Sequence, residues 1–130
     1  VDVDNVSGTE DGTAWDTAYT SIQDAIDAAV GAGVSEANPG EVWVAKSTYT
    51  STNDNAVTLA SYVQLYGGSA ESETSSEALD LAVNVAVIDG KNTGGCVYGT
   101  NKATPGGLAV TRGKAPSGET GGGMRDGIGL

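Results

Sequence analysis

Gly67, Gly90 and Gly113 stand 23 residues apart, and each closes a short apolar run: Val63-Gln64-Leu65-Tyr66, Val85-Ala86-Val87-Ile88-Asp89 and Leu108-Ala109-Val110-Thr111-Arg112. The runs alternate, or nearly so, as strands with one buried face do. A fixed period of this size predicts a solenoid, in which each rung buries its apolar face only against the next. A glycine after each run suits a tight corner where a Cβ sits poorly. The ends of such a stack matter most, because an uncovered rung offers unpaired backbone to another chain.

Twenty glycines, no Phe and no His in 130 residues describe many turns and few bulky anchors, while the recurring Val/Ile/Leu runs argue for order. The length suits one domain. One helix is convincing, Ser21–Val30. Ser21 with Asp24 has the form of a capping box, with Asp in place of Glu. Ile22, Ala25, Ile26, Ala29 and Val30 form one apolar stripe, and Gly31 and Gly33 end it. A lone amphipathic helix needs an apolar surface to cover, and the end of a solenoid is one. Residues 1–33, with a short strand at Val1–Asp4 and an acidic loop from Asn5 to Ala14, are therefore expected to form an amino-terminal cap, with Trp15 and Trp43 under or beside it. Residues 34–130 are expected to form three to four all-β rungs. Their strands are predicted at Glu41–Ala45, Thr48–Thr50, Ala56–Leu59, Tyr62–Tyr66, Val83–Ile88, Cys96–Tyr98 and Leu108–Thr111. Ser69–Glu77 is a polar excursion, and Gly121-Gly122-Gly123-Met124 opens a further rung.

The net charge of −11 is unevenly placed. Residues 1–90 hold fifteen acids against Lys46, a net of −14; residues 91–130 hold Lys91, Lys102, Arg112, Lys114 and Arg125 against Glu119 and Asp126, a net of +3. The acidity excludes a nucleic-acid partner and disfavours an anionic membrane surface. No apolar stretch approaches the length of a membrane span. The split is either a solvated acidic face or the basis of head-to-tail self-association through complementary ends.

Without histidine there is no Ser-His-Asp triad, no Cys-His dyad and no His-based zinc site, so no catalytic residues are assigned. Cys96 is alone, which excludes an internal disulfide, and its strand context predicts a small buried apolar residue. Asp2, Asp4, Glu10 and Asp11, near Asn5, could gather oxygen ligands for Ca²⁺, the one cofactor the chain suggests; their spacing is not that of an EF-hand, and a turn held by Asx-type hydrogen bonds is the alternative. Asn5-Val6-Ser7 is an N-glycosylation sequon, and Ser47–Thr58 and Ser72–Ser76 are rich in O-linked acceptors. Gly107–Lys114 departs from a phosphate-binding loop, with five residues between its glycines and Ala115 after the lysine. Asp89 and Arg112 each precede a run-ending glycine 23 residues apart and are expected to stack as a surface ion pair.

Asp11-Gly12-Thr13-Ala14-Trp15, Ala18-Tyr19-Thr20-Ser21-Ile22-Gln23-Asp24-Ala25-Ile26-Asp27-Ala28-Ala29 and Glu41-Val42-Trp43-Val44-Ala45-Lys46-Ser47-Thr48-Tyr49 together resemble the amino-terminal region of secreted pectate-lyase-like proteins. Val63–Gly68, Val87-Ile88-Asp89-Gly90, Cys96-Val97-Tyr98 and Leu108–Gly113 resemble their first rungs. The resemblance implies a right-handed parallel β-helix and an extracellular or cell-surface location. The family contains lyases, hydrolases, adhesins and surface proteins without catalysis. In it, a Gly-Gly-Gly-Met type segment leads into many further rungs, whereas this chain ends about six residues after Met124. A long catalytic groove is therefore not expected.

Three functions are open. The first is a structural subunit that assembles head to tail, with Met124, Arg125, Ile128 and Leu130 at the joining face. The second is the amino-terminal fragment of a larger polysaccharide-acting or adhesive β-helix, which a first residue of Val rather than Met would suit. The third is a module that binds extracellular polysaccharide through Tyr49, Tyr62 and Tyr66.

Overall fold

The computed structural model of the chain describes residues 1–50, 55–80, 82–92, 95–99, 104–113 and 124–125, by backbone alone at 55, 56, 104, 105, 124 and 125. These residues form one α-helix, α1 (Ile22–Gly31), and nine strands: β1 (Gly40–Ala45), β2 (Thr48–Thr50), β3 (Asn55–Thr58), β4 (Val63–Ser69), β5 (Ala86–Asp89), β6 (Gly95–Tyr98), β7 (Thr104–Gly106), β8 (Leu108–Thr111) and β9 (Met124–Arg125). The fold is mostly strand. Ile128, Leu130 and the glycines 121–123 lie outside the described residues.

Every third strand returns to the same sheet. The three sheets run β1-β4-β7, β2-β5-β8 and β3-β6-β9, with every pair parallel. Apolar residues stack along each sheet: Val42 pairs with Leu65, Ile88 with Tyr49 and Val110, and Val57 with Val97. All of them join one apolar cluster that also takes in Ile22 and Ile26 of α1. Each side chain is thus covered by its counterpart in the next strand as well as by the neighbouring sheets.

The 23-residue interval needs correction. Val42 does pair with Leu65, 23 residues on, and Val87 with Ala109, 22 on. However, Gly67 lies in β4 and Gly90 follows β5, and these strands belong to different sheets. Tyr49 pairs with Ile88 at a step of 39, and Val57 with Val97 and Leu65 with Pro105 at steps of 40. These three long steps all cross the connection between β4 and β5, residues 70–85. Steps that avoid it stay short, including Val97 to Met124 at 27. One inserted excursion therefore accounts for the apparent doubling.

Nor is Gly67 a corner. It sits inside β4, where a Cβ would run into the carbonyl oxygen of Gly107. Between the pairs Trp43/Tyr66 and Ala45/Ser69, β4 advances three residues for two of β1, a bulge in which Gly68 takes φ +93°.

Three sets of contacts lie against β1, β3 and the apolar cluster. Ser21 accepts a hydrogen bond from the Asp24 N–H at 3.3 Å and starts α1, which buries Ile22, Ala25 and Ile26. Val30 is 47% exposed, because it lies at the margin of the apolar stripe in the last turn. Gln23 reaches from α1 to β3, accepting from the Thr58 N–H at 2.8 Å and donating to the Thr58 carbonyl at 3.2 Å. The expected strand Val1–Asp4 shrinks to one residue. The Val1 amine donates to the Trp43 carbonyl, and the Ala45 N–H donates to the Val1 carbonyl at 2.9 Å. This places Val1 beside Val44 on the edge of β1 away from β4. The chain then turns, because the Asp2 carboxylate captures the Asp4 N–H at 2.9 Å.

Candidate functional site

Residues of β1 and α1, the loop 11–19 and the turn at 73–74 line a cleft of about 790 Å³. Strand alternation explains its floor: Val42 and Val44 point inward and are buried, so Glu41 and Trp43 point outward. Trp15, Tyr19 and Trp43 form its aromatic walls, and all three are half-buried. Ala25, Ala28 and Ala29 of α1 supply a low apolar side. The tryptophans therefore sit beside the cap rather than sealed beneath it.

Three carboxylates rim the cleft, and the chain itself positions each one. Asp11 Oδ1 accepts from the Thr13 hydroxyl at 2.7 Å, the Thr17 hydroxyl at 2.6 Å and the Thr13 N–H at 2.9 Å. These bonds, led by the one from Thr17, hold its carboxyl below the usual range. Glu41 Oε2 accepts the indole N–H of Trp43 at 2.9 Å, locking the ring to its own strand. Glu73 accepts from the Ser69 hydroxyl at 2.7 Å and from the Ala70 and Ser72 N–H groups at 2.8 and 3.1 Å. Desolvation opposes its ionisation, but these bonds together outweigh it and hold the carboxyl at about 2. Val1 also lines the cleft; burial lowers its amine to about 6 against the weaker pull of Asp2 and Glu71. No lysine or arginine lines the cleft among the described residues.

The residues singled out for calcium do not converge. Asp2 caps its own turn, Glu10 accepts from the Thr20 hydroxyl and N–H at 3.0 and 3.2 Å, Asp11 is held by threonines, and Asp4 is exposed. Among the described residues no group of three or more His, Cys, Asp or Glu could hold a metal ion. The Asx-type alternative describes the bonds of Asp2 and Asp11, and Glu10 instead ties its loop to Thr20.

Asn5 is half-buried. Its Nδ2 donates to the Ala18 carbonyl at 2.6 Å, so the atom a glycan would need already braces the loop. Of the three tyrosines, Tyr49 is buried at 5% exposure with its hydroxyl 3.0 Å from the Ala45 carbonyl, and cannot meet a sugar. It occupies the middle, inward position of β2, between the exposed Thr48 and Thr50. Tyr62 and Tyr66 are half-buried, and Tyr66 donates to Gln64 Oε1 at 3.2 Å. Cys96 is fully buried, donates to the Thr111 carbonyl at 3.0 Å, and is pushed up by burial.

Asp89 and Arg112 do meet. Arg112 Nε lies 2.9 Å from Asp89 Oδ1 and its Nη2 contacts Oδ2, a two-point grip between the ends of β5 and β8. Asp89 is nearly buried and Arg112 half-exposed, so the pair is a clasp between neighbouring strands. Of the residues named for a joining face, Met124 and Arg125 form β9, the outermost strand of its sheet, paired with Val97 and Tyr98.

Comparison with protein-family models, curated proteins and solved structures finds no match to this chain. No helix among the described residues is long and apolar enough to cross a membrane. The cleft was not anticipated from the sequence. Its lining comes from five separated segments, and the only advance sign was the placing of both tryptophans at the cap.

Proposed function

We propose that the chain is a non-enzymatic structural unit of an extracellular or cell-surface protein: the closed amino-terminal end and first turns of a right-handed parallel β-helix. The observation that carries this reading is the amide bridge from Gln23 to both backbone groups of Thr58, which blocks the free edge of β3. Val1 on β1 and α1 over the apolar cluster act in the same sense. The return of every third strand to its own sheet supports the helical path, and crossovers between parallel strands are almost always right-handed. β7, β8 and β9 are the outermost strands on the opposite side, and further parallel strands would be laid on them. A structural role is also favoured by Arg112, whose guanidinium is engaged by Asp89 and is not free to act as a base.

A second reading, a head-to-tail polymer of this chain, is favoured by charge. Residues 1–90 carry fifteen acids and one base, net −14, and residues 91–130 carry five bases and two acids, net +3. Sedimentation over a concentration series with electron microscopy separates the two. A blocked amino-terminal side lets copies meet only through the β7–β9 side, which closes at a pair. Open filaments that lengthen with concentration would sink the capped-unit reading and establish the polymer.

A further inference from the structure

The cleft beside α1 contains both tryptophans of the chain and one of its five tyrosines, in a protein with no Phe. Aromatic side chains this scarce would be expected in the apolar cluster, yet Trp15 and Trp43 are absent from it, Tyr19 only packs against its margin, and all three stay half-buried. Flat aromatic walls around a cleft of about 790 Å³, with a few fixed polar groups, have the composition of a small-ligand site. From this geometry we infer that the cleft binds a short oligosaccharide of amino sugars, with ring faces on the indoles and ammonium groups against Asp11, Glu41 and Glu73.

Charge selects the amino sugar. Three ordered carboxylates line the cleft with no lysine or arginine among the described lining, so an anionic uronate would be repelled and an ammonium attracted. Asp11 Oδ2 and Glu41 Oε1 have no protein partner among the described residues and are available as acceptors. A metal ion does not fit, because the acids are spread around the rim and do not converge. An extended peptide is also disfavoured. Val1 already occupies the ladder beside Val44, which leaves only the Glu41 N–H and carbonyl and the Trp43 N–H on the open stretch of β1, a short ladder for strand addition.

Both tryptophans line the cleft, so intrinsic fluorescence reports on this site alone. Titration with glucosamine oligomers is expected to give a saturable change. Binding of N-acetylated oligomers should be about tenfold or more weaker, and oligogalacturonate should give none. Glu41→Gln, which keeps an acceptor for the Trp43 indole, should weaken binding about tenfold at an unchanged unfolding midpoint. Trp15→Phe should weaken it with the fold intact by circular dichroism. No response at millimolar glucosamine oligomer, or equal affinity for the acetylated oligomer or an oligolysine peptide, overturns the assignment. The capped-unit reading is judged separately by sedimentation, so either can fail alone.

Discussion

Gln23 and Thr58 hold one another through both ends of a single amide, at 2.8 and 3.2 Å, across 35 residues of sequence. The side chain imitates the backbone of an adjacent strand, which is how α1 closes β3 without becoming part of the sheet. It also joins the helix, held otherwise by Ile22, Ala25 and Ile26, to β3.

Gln23→Ala removes both bonds and reopens the edge. The site is exposed, so water replaces the amide and the loss of stability should be about 1 kcal/mol by urea unfolding. A larger effect is expected on association: with a second edge open, sedimentation velocity should show concentration-dependent species larger than the pair, absent from the parent. Gln23→Glu keeps the acceptor for the Thr58 N–H but faces the carbonyl with a carboxylate, and should behave like alanine or worse.

The clasp between Asp89 and Arg112 makes a prediction with a definite sign. The Arg112 hydrogen bond, followed by that of the Lys91 N–H, lowers the Asp89 carboxyl below its usual range. Its contribution is therefore present above the ordinary aspartate pKa and is lost as pH falls through the lowered, folded value. Arg112→Ala should lower the melting temperature by several degrees at neutral pH and flatten this part of the acid transition. Arg112→Lys, with one donor point instead of a fork, should recover only part of the loss. Thermal melts from pH 2 to 7 would check both.

That pair also shows how far the sequence could be followed. Asp89 ends β5 and Arg112 directly follows β8 of the same sheet; the register sets Thr111, 22 residues on, opposite Asp89, and Arg112 reaches back from the next position, so their 23-residue spacing lies one residue from the true step. The equal spacing from Gly67 to Gly90 matches no step, because one excursion between β4 and β5 moves the count into the neighbouring sheet. The strand-forming runs were visible as alternating apolar residues, but β7, Thr104-Pro105-Gly106, has no such pattern and is defined only by its partners in β4. The burial of Tyr49, with its hydroxyl on the Ala45 carbonyl, depends on the corner at Lys46-Ser47, whose geometry is not carried by residue type. The cleft was hidden for a related reason: Asp11, Glu41 and Glu73 share a rim only after three separate connections are folded.

In the chain beginning at Val1, the buried amine predicts a stability gradient at neutral pH. Its pKa falls from 8.0 to about 6 on folding, chiefly through desolvation. Between these values the unfolded chain binds more protons than the folded one, so stability rises with pH and levels off above 8. The expected gain from pH 6 to 8 is about 2 kcal/mol. The chain has no histidine, and burial raises the Cys96 thiol, away from this window. Urea unfolding at a series of pH values should show the slope, and an amino-terminally acetylated chain should lack it.

Two glycines provide a matched test of packing. At Gly67 a Cβ would strike the Gly107 carbonyl oxygen, with Leu108 Cδ2 at 3.3 Å, so backbone atoms of the neighbouring turn must move. Gly67→Ala should cost about 3 kcal/mol or prevent folding, with the pairing of β4 and β7 disturbed first. Gly31, in the last turn of α1, has nothing within 4 Å of the same position and no positive φ. Gly31→Ala should instead stabilise by up to about 1 kcal/mol through helix propensity. Equal effects of the two substitutions in denaturant unfolding would mean that β4 does not approach Gly107 closely, and the stacking of its sheet would have to be redrawn.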